Sequence, residues 1–156
     1  MLGRMHARPL QAFLLALLVG LGPATAAADS ATAAYSEGEA AYERGDYAAA
    51  VAAWERAAGL EHAAAEFRLG AMYENGKGVD RDLGRALEWY RRAARHGSQK
   101  ALFNLGHMYA TGTGVDKDEA EAARWYERAA RRGNAHAQYT LGLMYADGNG
   151  VGRDLV

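Results

Sequence analysis

Leu69-Gly70-Ala71-Met72-Tyr73 returns as Leu105-Gly106-His107-Met108-Tyr109 and again as Leu141-Gly142-Leu143-Met144-Tyr145, at a spacing of thirty-six residues. The same step relates the loops Gly76-Lys77-Gly78-Val79, Gly112-Thr113-Gly114-Val115 and Gly148-Asn149-Gly150-Val151, and then Asp82, Asp118 and Asp154. Trp89-Tyr90 with Ala93-Ala94 recurs as Trp125-Tyr126 with Ala129-Ala130. A fixed period of this length marks a repeat array, in which each unit buries its apolar face against its neighbours.

Each unit reads as two antiparallel helices. Ala65, Leu69, Met72 and Tyr73 fall at i, i+4, i+7 and i+8, an apolar stripe on a first helix. Ala86, Trp89, Tyr90 and Ala93 form the stripe of a second helix, with Arg85, Glu88, Arg91, Arg92 and Arg95 assigned to its solvent side. Gly97 and Gly133 stand where a left-handed residue ends that helix, and Ser98 and Asn134 follow as N-caps of the next. Asp82 and Asp118 suit the capping position of the second helix. The glycines of the Gly-x-Gly-Val loops supply positive φ, and the valine returns to the core. A glycine inside a helix costs roughly 1 kcal/mol against alanine. Gly70, Gly106 and Gly142 therefore imply close approach of a partner helix, with ligand contact to bare backbone as the alternative.

The opening unit differs. Gly38 to Tyr47, followed by Ala50, Trp54 and Ala57, carries a short Gly45-Asp46-Tyr47 turn in place of the glycine loop and resembles a tetratricopeptide repeat. The later units, with Leu-Gly-x-Met-Tyr, Gly-x-Gly-Val, Trp-Tyr and Ala-Ala elements, resemble the Sel-one-like repeat family. The resemblance implies an all-α fold, a right-handed solenoid of antiparallel helix pairs. It divides the chain into a tetratricopeptide-like repeat at 29–61, repeats at 62–97 and 98–133, and a partial repeat at 134–156. Val156 falls in the first residues of the second helix expected of that last unit, which reads as a fragment or truncated product.

Ahead of the repeats, Arg4, His6 and Arg8 precede the apolar run Leu10–Leu21, and the small residues Ala24-Thr25-Ala26-Ala27-Ala28 follow. This three-part pattern predicts a signal peptide over 1–28, cleaved after Ala26 or Ala28, and hence a periplasmic or secreted protein. The apolar run of about twelve residues is short of the roughly twenty a spanning helix needs, so no stable membrane insertion is expected after signal removal. An uncleaved anchor helix is the alternative.

The whole chain carries 18 Lys+Arg against 19 Asp+Glu and no cysteine. Without its first twenty-eight residues it loses Arg4 and Arg8, leaving 16 basic and 19 acidic residues and a net charge of −3. That balance argues against nucleic-acid binding. The missing thiols exclude disulfides, a thiolate zinc site and a cysteine nucleophile. No Gly-x-Ser-x-Gly elbow, phosphate loop or His-Glu-x-x-His occurs. His96 reads as a last-turn histidine suited to the helix dipole, and His62 as a polar junction residue. His107 and His136 are about 10 Å apart along parallel helix axes once one repeat is subtracted, too far to share a metal. Glu37, Glu39, Glu43, Glu119, Glu121 and Glu127 read as solvated faces. No catalytic residue, metal or cofactor is expected.

A surface is the better candidate. First helices line the concave side of such solenoids, where other chains bind. Phe67, Phe103 and Tyr139 stand two residues before each Leu-Gly, His107 and Leu143 one residue after it, and Lys100 and His136 share an earlier helical position. These columns are candidate partner-binding residues, with burial of the three rings between units as the competing reading. The expected function is an exported, non-catalytic scaffold or adaptor for a protein or peptide partner. The alternatives are a cell-wall-related hydrolase, because cysteine-rich members of the family are associated with β-lactam hydrolysis, and a truncated product without independent function.

Overall fold

The computed structural model describes residues 23–151. The expectations for residues 1–22, and for Asp154 and Val156, lie outside them. Among the described residues seven helices follow one another: α1 (Pro23–Glu43), α2 (Tyr47–Ala58), α3 (Ala63–Asn75), α4 (Leu83–Arg95), α5 (Gln99–Thr111), α6 (Glu119–Arg131) and α7 (Ala135–Asp147). No strand occurs among the described residues. Each helix packs on the next, so the chain is an all-α solenoid of antiparallel pairs. Within the described residues, helix α1 runs unbroken from Pro23 past Ala26 and Ala28, the expected cleavage points.

Local chemistry sets the helix boundaries. His62, Ser98 and Asn134 cap α3, α5 and α7, each accepting from the backbone N–H three residues on. Asp46, Asp82 and Asp118 do the same for α2, α4 and α6. Such caps satisfy donors that have no intrahelical partner and contribute about 1 kcal/mol apiece. Gly76, Gly112 and Gly148 end the first helices in the left-handed conformation. Beyond Gly112, the Asp118 N–H donates to the Tyr109 carbonyl at 2.9 Å, closing the loop on its own helix. The loop's second glycine, Gly114, has φ +71°, and a Cβ there would meet Leu83 Cβ at 2.7 Å. The loop therefore rests on the first residue of the preceding unit's second helix, which couples neighbouring units.

The apolar stripes meet as expected in the first helices: Ala65, Leu69, Met72 and Tyr73 are all buried. In the second helices the two aromatics separate. Tyr90 and Tyr126 are buried, whereas Trp89 and Trp125 are partly exposed beneath guanidinium groups, Arg92 at 4.7 Å and Arg128 at 4.4 Å from the ring centroids. Along a helix the two adjacent residues point about 100° apart, so only one of them faces the partner.

That buried ring explains the helix-interior glycines. A Cβ on Gly70 would lie 2.6 Å from the Tyr90 ring, and one on Gly106 would lie 2.6 Å from the Tyr126 ring. In the first unit Gly38 makes the same space for Trp54, whose ring would meet the Cβ at 2.4 Å. The close approach expected from the sequence is thus made by an aromatic side chain of the partner helix. Burial raises the Tyr90 phenol above its ordinary value, reinforced by the hydrogen bond it donates to Glu74 at 2.6 Å, so the ring stays neutral. Gly142 differs, because no described atom lies within 4 Å of its Cβ position.

The contrast predicts opposite signs for one substitution. Gly106→Ala should lower stability by about 1–3 kcal/mol, because Tyr126 must leave its seat. Gly142→Ala should leave stability unchanged or raise it, by up to about 1 kcal/mol, through helix propensity alone. Urea unfolding of both variants is the check, and equal shifts would overturn the ring-seat explanation.

Candidate functional site

The first helices carry the candidate columns, and cross-unit contacts organise them. Phe67 is partly buried, its ring tilted against Tyr90 at 5.5 Å, and Lys100 from the next unit places its ammonium 6.0 Å from the Phe67 centroid. Phe103 repeats this arrangement, with Tyr126 at 5.4 Å beneath it and the imidazole of His136 at 6.1 Å. Each ring is therefore part packing residue and part surface. Lys100, His136 and His107 are exposed. Tyr139 and Leu143 on α7 are 71% and 47% exposed. The structure thus joins Phe67 to Lys100 and Phe103 to His136, and leaves Tyr139 as an open rung.

A second layer lies toward the N-terminal end. Arg68 pairs with Glu39 of α1, and its guanidinium lies 6.0 Å from the Tyr42 centroid and 5.7 Å from that of Trp54. Burial would lower the Arg68 pKa, but hydrogen bonds to Glu39 and Tyr35 outweigh it and the net shift is upward. Lys77 donates to the Tyr42 hydroxyl at 3.2 Å, and Tyr35 stacks on His62 at 4.7 Å. Glu39, read from the sequence as solvated, is partly buried in this layer.

The largest departure from the sequence reading is Glu66. Its side chain is fully buried, the one buried charged residue among those described. Arg92 Nε donates to Oε1 at 3.1 Å, and Arg92 Nη2 donates to the Ala58 carbonyl at 3.1 Å. His96 Nδ1 lies 2.7 Å from Oε2 and, facing a carboxylate that only accepts, is the donor. Arg92 and His96 are therefore not solvent-side and last-turn residues alone: they hold a carboxylate where α2, α3 and α4 meet. Arg91, also read as a solvent-side residue, donates to the Tyr109 hydroxyl at 2.6 Å. The one signal in the sequence was a broken column, because the position of Glu66 is Leu102 one unit later and Gln138 two units later.

A buried carboxylate deprived of its cation is costly. Arg92→Ala should destabilise the chain by about 2–3 kcal/mol, the lower side of the range for buried pairs because Arg92 is 39% exposed. Glu66→Leu, which copies the next unit, should cost less than Glu66→Ala, because both leave two donors unpaired and only alanine adds a cavity. Chemical denaturation of the three variants orders them, and Arg92→Ala behaving like wild type would refute the cluster's structural role.

Three stretches, 63–98, 99–134 and 135–156, match the model of a family described as the Sel1 repeat. Among solved structures, the chain is similar to a protective antigen of uropathogenic Escherichia coli strains displaying an SLR fold. That likeness has 38% identity and a TM-score of 0.76, over 83% of this chain and 28% of that one. A Sel1 repeat protein from Oxalobacter formigenes aligns at 33% identity and a TM-score of 0.75, over 86% of this chain and 56% of that one. Cysteine-rich protein B of Helicobacter pylori shares the fold at 24% identity and a TM-score of 0.59, over 77% of this chain and 98% of that one. The chain thus spans 28% and 56% of the lengths of the first two. No functionally curated protein matches it significantly.

Proposed function

The chain belongs to the Sel1 repeat family, and from that premise we propose that it is an exported, non-catalytic scaffold that binds another polypeptide along its first helices. The observation that carries this reading is the ladder of half-buried rings, Phe67 and Phe103, each edged by a basic side chain of the following unit and continued by the exposed Tyr139. Rings held from beneath lose little freedom on binding, and aromatic anchors of this kind dominate interface energetics. Lys100 and His136 add donors at the ring edges. A peptide with apolar anchors and acceptor groups between them matches the alternation. Export rests on the charged start, the apolar run Leu10–Leu21 and the small residues after it. No helix among the described residues is long and apolar enough to cross a membrane.

Two measurements test the reading. Protein recovered from the envelope of an exporting bacterial host should have an intact mass that begins after Ala26 or Ala28; a chain starting at Met1 in the cytoplasm overturns export. For the ladder, Phe103→Ala should weaken binding to the partner captured by the wild-type chain by about 2 kcal/mol. Its cost in stability should be clearly less than that of Tyr126→Ala, the fully seated ring, at roughly 3–5 kcal/mol. Unchanged binding, or unfolding as easy as that of Tyr126→Ala, removes Phe103 from the interface.

A further inference from the structure

Arg92 and His96 hold a carboxylate at one junction, and their counterparts at the next junction have none to hold. Arg92, its guanidinium stacked over Trp89 at 4.7 Å, gives Nε to one oxygen of Glu66, and His96, one turn further along, lies 2.7 Å from the other. Thirty-six residues on, Trp125 stands for Trp89, Arg128 for Arg92 and Arg132 for His96, while Leu102 takes the place of Glu66. Arg128 keeps the posture of Arg92, its guanidinium 4.4 Å from the Trp125 centroid. Arg132 reaches back to the end of α4, with Nη1 4.0 Å from where a Cβ on Gly97 would stand. Arg128 and Arg132 are exposed, and among the described residues no carboxylate pairs with either. The Trp125 Nε1–H, in the ring beneath Arg128, is buried and also has no acceptor among them. Arginine suits the end of any helix through the dipole. The dipole does not account for a guanidinium laid on a tryptophan in the posture that binds a carboxylate one unit earlier.

We infer that Arg128 and Arg132 form a carboxylate-binding site at the junction of α4, α5 and α6, which takes an Asp or Glu side chain of an acidic polypeptide. The occupied junction fixes the chemistry, because the same pair of positions on the same helix face holds Glu66 there. A guanidinium fork kept flat by an aromatic ring is preorganised for a planar carboxylate. The surroundings narrow the occupant further. Glu127 adjoins the site, paired with Arg131 at 3.6 Å, and the chain without its first twenty-eight residues has a net charge of −3. An extended polyanion or an anionic membrane meets that repulsion, whereas a single carboxylate meets the two arginines alone. The site is internal to the array, turned toward α4, and lies on second helices, apart from the ring ladder proposed above.

The probe is a tetraglutamate peptide blocked at both termini, titrated into the full chain at low ionic strength and followed by calorimetry and by the arginine Nε–Hε resonances. One-to-one binding that moves the Arg128 and Arg132 resonances is expected, and the tetraglutamine counterpart should not bind. Arg128→Gln should weaken binding at least roughly fivefold, because it removes a charge-assisted pair. Leu102→Glu should weaken it similarly, by supplying the carboxylate from within the chain as Glu66 does. Adding Arg128→Gln to Leu102→Glu should then lower the melting temperature more than Arg128→Gln does alone, since the new carboxylate loses its cation. Arg44→Gln, which removes an exposed cation in the turn between α1 and α2, should leave binding unchanged. If Leu102→Glu fails to fold, the Arg128→Gln titration still decides. No binding at millimolar peptide overturns the proposal. So does binding that Arg128→Gln leaves intact or that Arg44→Gln weakens equally, which is diffuse attraction. Tighter binding of tripolyphosphate or of phosphatidylglycerol vesicles to the same arginines means a phosphate-bearing ligand and equally overturns it.

Discussion

An aromatic ring pressed onto a glycine inside the facing helix is the contact on which this solenoid depends. Glycine in a helix interior is unfavourable by roughly 1 kcal/mol, and burying a whole tyrosine or tryptophan ring more than offsets that. The seat also fixes geometry. With no Cβ on Gly70 or Gly106, the ring lies against the backbone and the helix pair closes to a distance that alanines on either side of the ring can fill. Trp54 on Gly38 shows that the seat tolerates a larger ring when the turn between helices is short. The device therefore belongs to the helix pair and not to the glycine loop.

The loop performs the complementary task between units. Its first glycine ends the first helix, and its second lies against the start of the preceding unit's second helix, as Gly114 does at Leu83. Side-chain contacts cannot form there, because a Cβ would overlap the helix. Intra-unit seats and inter-unit rests alternate along the chain, which is how a repeat array gains stability from nearest neighbours without contacts between distant parts.

Much of this was legible from the sequence because it is periodic. The caps His62, Ser98 and Asn134, the glycines and the buried stripe of Ala65, Leu69, Met72 and Tyr73 each occupy a column, and a column shows what every unit requires. Periodicity could not say which of Trp89 and Tyr90 faces inward, since the two always recur together. It was also blind to Glu66, Arg92 and His96. Their bonds join residues 26 and 30 positions apart, and no other unit repeats them. Reading charges by their helical spacing assigned Arg92 to solvent, when its long stem carries the guanidinium over Trp89 to the buried carboxylate.

The unevenness of the ionic contacts along the solenoid bears on how the surface works. At the junction of the first units, Glu66 is held by two groups of α4, and Arg92 also binds the end of α2 at Ala58. One unit later Leu102 replaces the carboxylate, and an apolar contact slides more readily than a hydrogen-bonded charge with fixed donors. The junction ahead of α3 is thereby held through a buried charge, while the one ahead of α5 carries Leu102 in its place together with the Arg91–Tyr109 hydrogen bond. Because Lys100 reaches back to Phe67 and His136 to Phe103, the spacing of the ladder is set at the junctions ahead of α5 and α7. The cluster thus anchors α3, which carries Phe67, while the rungs themselves cross junctions where Leu102 and Gln138 stand in place of the buried carboxylate.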